Sequence, residues 1–160
     1  AHTITAMSAS KSFNLAGLKC AQLILTNPEH QRFFSAQGHG LPYESSPFGM
    51  AANITAFRDG GPWFAETLQY LNENRKLFGS MLAELLPEVG YIEPQASFLA
   101  WLDCRELGLS DPRRHFLEAG VALTDGAECG VAGRGHVRFN FALPRAIMQR
   151  AIEKMAASLG

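Results

Sequence analysis

Two hydrophobic periods alternate along this chain, and the switches between them mark its elements. Thr3-Ile4-Thr5-Ala6-Met7 has the β-branched, period-two character of a short strand. A polar stretch from Ser8 to Asn14 follows, and then Cys20 to Leu25, an apolar run that predicts a buried strand. Asn27-Pro28 predicts a helix start, with Asn27 as cap and Pro28 at the first position, and an end near Gly38. Residues 38–48 carry the Gly and Pro of a loop, and a second helix is expected from Gly49 to Phe57. After Gly60-Gly61-Pro62, the positions Phe64, Leu68, Leu71, Phe78, Leu82 and Leu85 recur at helical spacing. They predict one long amphipathic helix ended by Pro87 and Gly90, with Arg75 interrupting its apolar stripe.

The remainder reads as a compact α/β unit. Ser97 to Leu102 predicts a strand, Ser110-Asp111-Pro112 opens a short helix that Gly120 closes, and Val121 to Leu123 predicts a brief strand. A glycine-rich loop leads to the alternating strand His136 to Phe141. Pro144 begins a last helix with Ile147, Ala151 and Met155 on its apolar face.

Composition sets limits on function. Fourteen basic and fifteen acidic side chains give a net charge of -1, which offers no electrostatic reason for nucleic acid or an anionic membrane as partner. No apolar run is long enough to cross a bilayer, and the start has no signal-peptide pattern. The three cysteines, Cys20, Cys104 and Cys129, form no CxxC pair, and the histidines no i,i+4 pair, so no metal site is expected. Reduced thiols in a cytoplasmic protein fit this usage. The chain begins without Met, directly in strand-like alternation, which suggests a piece of something longer.

Two sites carry candidate chemistry. Lys11 lies among serines between two predicted elements. It is either a solvated lysine in a serine-capped turn or an amine placed to form a Schiff base, with hydroxyls ready for an anion. Arg138 lies in an apolar alternating strand, either on its wet face or set against a carboxylate that suits its planar fork. The nearby Gly130, Gly133 and Gly135 do not make a dinucleotide loop, because a strand follows them and the GxGxxG order is absent.

The segment Ser8-Ala9-Ser10-Lys11-Ser12-Phe13-Asn14-Leu15-Ala16-Gly17-Leu18-Lys19 resembles the pyridoxal-phosphate lysine motif of fold-type I aminotransferases. The resemblance implies that Lys11 carries the cofactor and that Ser8 and Lys19 hold its phosphate. Lys19 stands where the family usually has Arg, so it offers a point charge in place of a fork. Arg138-Phe139-Asn140 matches the superfamily's Arg-hydrophobic-Asn triplet, which implies that Arg138 binds the substrate's α-carboxylate. Arg134 and Arg145 lack that match and read as surface or packing residues. Gly61-Pro62-Trp63-Phe64 and Ser97-Phe98-Leu99-Ala100-Trp101-Leu102-Asp103 are similar to segments of the MalY/PatB group of cystathionine β-lyases, with Phe98 in place of Tyr.

The resemblance implies an α/β fold, the C-terminal part of a fold-type I enzyme. Residues 1–61 would end the large cofactor-binding domain, 62–90 would form an interdomain helix, and 91–160 the small C-terminal domain. It implies a pyridoxal-phosphate-dependent carbon–sulfur β-lyase acting on a small amino acid, a homodimer at full length and inactive as this piece alone. An aminotransferase using the same lysine and arginine is the alternative within enzymes. A regulatory protein-binding role of the MalY type is the alternative outside them.

Overall fold

The computed structural model describes residues 3–37 and 45–160. The chain divides into two compact units, Ala1–Thr67 and Leu68–Gly160, and the division falls within one continuous helix.

In the first unit, β1 (Ile4–Met7) pairs antiparallel with β2 (Gln22–Leu25), Ile4 opposite Leu25 and Met7 opposite Gln22. The run that predicts a buried strand is half open here. Leu23 and Ile24 are 46% and 45% exposed, because a two-stranded ribbon covers neither of its own faces. Asn27 Oδ1 accepts from the Glu29 amide at 2.8 Å and opens α1 (Pro28–Gln37). Most of the predicted 38–48 loop lies outside the described residues. Its last positions already belong to α2 (Pro47–Asp59), where Ser46 caps the Gly49 amide and Pro47 takes the first position. α3 (Gly61–Leu85) follows and runs without a break through Arg75.

The second unit contains the main apolar core. β3 (Gly90–Tyr91), β4 (Leu99–Asp103), β5 (Thr124–Asp125) and β6 (His136–Asn140) form an antiparallel sheet in the order β3-β4-β6-β5. α4 (Pro112–Glu118) starts on the Asp111 cap, and α5 (Arg145–Ala157) ends the chain. One face of the sheet, Ala100, Leu102, Val137 and Phe139, is buried against Phe78 and Leu82 of α3, Phe116 of α4, and Met148, Ile152 and Met155 of α5. Phe78 meets Phe139, Phe141 and Tyr91 at ring-centroid distances of 4.8, 6.2 and 5.4 Å.

Three local expectations shift. The strand predicted at Val121–Leu123 forms at Thr124–Asp125, and Val121 enters the core as a single buried side chain. The apolar face of α5 is Met148, Ile152 and Met155, rotated from the predicted set, while Ile147 is 43% exposed. β3 has no counterpart in the predicted elements, because Gly90 and Tyr91 are too short a run to show a period.

Asn74 is fully buried within the apolar stripe of α3. Its Nδ2 donates to the carbonyls of Phe141 and Leu143 at 3.2 and 2.9 Å, and its Oδ1 accepts from Arg145 Nε at 3.3 Å. It thereby satisfies backbone groups in the segment between β6 and α5 that no ladder reaches. Arg75 beside it is half-buried, donating to the Pro94 carbonyl at 2.7 Å and facing Glu93 at 3.3 Å.

Candidate active site

Ser8, Lys11 and Lys19 lie in the first unit on the connection from β1 to β2. After Met7 the backbone closes a helical turn, with the Phe13 amide on the Ala9 carbonyl at 2.9 Å and the Leu15 amide on the Ser10 carbonyl at 3.0 Å. Asn14 closes it in the left-handed region, at φ 55°. Ala9, wholly buried, anchors the turn, while Lys11 is exposed. Ser8 precedes the turn, and its Oγ accepts from the Ser10 amide at 3.3 Å, which leaves its own proton free to donate.

A short 3-10 turn, Ala16–Leu18, ends at Lys19, which is itself left-handed at φ 48°. Two contacts fix this segment. Asn53 of α2 donates to the Cys20 carbonyl at 3.2 Å, and Gly49 packs so closely that a Cβ there would come within 2.6 Å of the Leu18 carbonyl oxygen. Phe13 stacks with Trp63 at 5.9 Å and touches Phe57 and Phe64, which holds the far end of the Lys11 turn. An apolar cavity of about 440 Å³ opens beside it, between Phe13, Thr55, Gly60 and Trp63. Its lining includes none of the polar trio, so it has no phosphate chemistry.

Among the described residues neither Lys11 nor Lys19 forms an ion pair or a side-chain hydrogen bond. Two uncommitted ammonium groups and a hydroxyl donor on one short connection are a donor set suited to a phosphate monoester, with an amine left for a carbonyl carbon. The residues present fit pyridoxal phosphate on that chemistry.

Arg138 lies in the second unit. Its strand partners are Trp101 on β4 and Thr124 on β5, so the three side chains form a row across the sheet face opposite the core. The guanidinium donates through Nη2 to Thr124 Oγ1 at 3.2 Å, and Nη1 lies 4.0 Å from Cys129 Sγ. It has no carboxylate partner among the described residues. Arg145, by contrast, is committed to Glu73 at 2.8 Å and lies over the Tyr70 ring. Its hydrogen bond to Glu73 holds that carboxyl below the usual carboxylate range.

At the next position along the same face, His136 stacks on Trp101 with ring centroids 5.4 Å apart, and its Nε2 is 3.6 Å from Asp103. Asp103 accepts a forked pair of hydrogen bonds from Arg105, which holds its carboxyl well below the ordinary range. Cys104, turned to the other face, is buried, and burial pushes its thiol up to about 12.

Sequence reasoning missed Thr124 and the glycine contact behind it. Gly126 and Gly133 press their backbones together so tightly that a Cβ on Gly126 would collide with the Gly133 carbonyl oxygen. This joins the 3-10 turns Gly126–Cys129 and Val131–Gly133 and seats Cys129 beside Arg138. The glycine spacing was a visible signal, but nothing in it named the partner. No group of three metal-ligating side chains occurs among the described residues, and no described helix is long and apolar enough to cross a membrane.

Comparison with known proteins gives the family and the fold. The model of the family "Aminotransferase class I and II" matches residues 1–155. A Mycobacterium tuberculosis relative described as a candidate cystathionine β-lyase is 43% identical over 96% of this chain and 42% of its own length. Cystathionine β-lyase PatB of Bacillus subtilis is 33% identical over 98% of this chain and 42% of its own. The pyridoxal-phosphate-bound C–S lyase of Staphylococcus hominis superposes with a TM-score of 0.87 at 31% identity, covering 98% of this chain and 39% of that one. The chain thus spans about 42% of the length of these curated relatives. It belongs to the class I and II aminotransferase family, whose pyridoxal-phosphate-bound members share its fold.

Proposed function

We propose that the full-length protein carrying this chain is a pyridoxal-phosphate-dependent carbon–sulfur β-lyase that converts a cystathionine-like amino acid to pyruvate, ammonia and a thiol. One observation carries the reading. Arg138, at the superfamily's carboxylate-binding motif position, is half-buried yet has no acidic partner among the described residues, whereas the other half-buried arginines, Arg75 and Arg145, face Glu93 and Glu73. Relatives named as cystathionine β-lyase and C–S lyase support the choice of reaction.

Lys11 would hold the cofactor through Nζ, with Ser8 Oγ donating to its phosphate and the Lys19 ammonium opposing the charge. Bound pyridoxal phosphate supplies an electron sink for negative charge that develops at the substrate's Cα. The Arg138 guanidinium binds the α-carboxylate and so orients the Cα–H bond. Freed when the substrate's own amino group takes its place, the Lys11 amine would take the α-proton as general base. The Cβ–S bond would then break, the leaving thiolate would take up that proton from Lys11, and water would hydrolyse the remaining enamine to pyruvate and ammonia. The working form is a homodimer in the cytoplasm, the arrangement that the superfamily resemblance implies. Residues 1–61 close its large domain, 62–90 link the domains, and 91–160 make the small one.

The test is turnover of cystathionine by the full-length protein loaded with cofactor. Pyruvate released at a steady rate with no keto acid present is the expected result, and Lys11→Ala abolishes it. Strict dependence on an added keto-acid acceptor would replace the lyase with an aminotransferase.

A further inference from the structure

Arg138 needs a fixed orientation to receive a carboxylate, and its own strand does not provide one. A side chain with four rotatable bonds on a half-buried sheet face samples several directions unless something accepts from it. Thr124 is the only side-chain oxygen on that guanidinium among the described residues, at 3.2 Å from Nη2. The two residues are directly paired across β5 and β6. Threonine is branched at Cβ and stiff at χ1, so its hydroxyl stays where the strand puts it. It is also neutral. An aspartate here would cancel the guanidinium charge and compete with an incoming carboxylate, whereas a hydroxyl fixes the fork and leaves the charge unspent.

β5 is itself held in place. Asp125 accepts from the Ala127 amide at 2.9 Å, and the following turn is closed by the Gly126–Gly133 contact. Two residues of strand thus terminate in a rigid support behind Thr124.

We propose that Thr124 is a positioning residue for substrate binding. Its hydroxyl orients the Arg138 guanidinium toward the α-carboxylate without neutralising it. This rests on the reading of Arg138 as the carboxylate anchor, and the experiment separates the two.

In the full-length holoenzyme, kcat and KM are measured for Thr124→Val, Thr124→Ser, Thr124→Asp and Arg138→Ala, with the amino-acid substrate and with its α-carboxamide. Thr124→Val is expected to raise KM for the acid about 3- to 10-fold, the order of one typical net hydrogen bond, with kcat nearly unchanged. Thr124→Ser should restore the wild-type KM, and Thr124→Asp should raise KM further than valine does. None of the Thr124 variants should change turnover of the carboxamide. An unchanged KM in Thr124→Val, or an equal loss on acid and carboxamide, overturns the proposal for Thr124 when Arg138→Ala still raises KM for the acid. If Arg138→Ala leaves that KM unchanged, the anchor reading falls, and the role of Thr124 falls with it.

Discussion

Of the three half-buried arginines, Arg138 is the one with no acidic partner among the described residues, since Arg75 faces Glu93 and Arg145 faces Glu73. Arg105 is locked to Asp103, Arg114 to Glu118 and Arg145 to Glu73. The Arg105–Asp103 pair is open to a direct test. Because Arg105 depresses the Asp103 carboxyl, the folded state favours the ionised form. The stabilisation is therefore present above about pH 4, the unfolded value, and is lost as pH falls through the folded one. Arg105→Met should lower the urea midpoint at pH 7, and the gap from wild type should narrow as pH drops below about 4. A gap that stays constant across that range would mean that the ion pair contributes nothing. Lys11 and Arg138 were legible as candidates because motif order singled them out. Thr124 was not, since a two-residue strand carries no period and its contact with Arg138 spans fourteen positions.

At the scale of elements, periodicity located α3 well because that helix buries Phe78 and Leu82 in a stripe, whereas α1, which buries nothing, is marked by its Asn27-Pro28 start. α3 runs from Gly61 to Leu85 as its spacing predicts, α5 begins at Arg145 directly after Pro144, and α2 begins at Pro47, two residues before the expected Gly49. The pattern failed where tertiary contacts outweigh it. α5 offers apolar residues at several neighbouring positions, so only packing decides that Met148 and Ile152 turn inward and Ile147 outward. Asn74 breaks the stripe of α3 for a reason visible only in three dimensions, the two carbonyls it satisfies. Asn74→Leu would complete the apolar pattern and yet should destabilise the protein. The Phe141 and Leu143 carbonyls lose their donor, at about 1–3 kcal/mol for the buried Phe141 carbonyl and less for the partly buried Leu143 one. Phe78→Ala should cost about 3–5 kcal/mol by opening a cavity against Phe139 and Phe141. Chemical denaturation measures both. An Asn74→Leu protein as stable as wild type would show that water or a rearranged backbone replaces the asparagine.

For the whole molecule, burial is uneven. The large apolar cluster built from Phe78, Leu102, Phe116, Val137, Phe139, Met148 and Ile152 lies entirely in the second unit. In the first, Ala9, Cys20 and Ala56 are the buried apolar side chains among the described residues, and Phe48 and Ile54 are 81% and 60% exposed. Amide exchange of this chain should accordingly be slow in β4, β6 and α5 and fast in β1 and β2. Equal protection of the two sheets would contradict that partition. The contrast bears on the proposal, because Ser8, Lys11 and Lys19, the proposed cofactor residues, belong to the thinly packed unit, and Arg138, the proposed carboxylate anchor, to the well packed one.

The central claim is that Lys11 holds the cofactor. Borohydride reduction of the full-length protein loaded with pyridoxal phosphate, followed by peptide mapping, tests it most directly. A single pyridoxyl group on Nζ of Lys11, absent from Lys11→Ala, is the expected result. A label on any other lysine, Lys19 included, would contradict it.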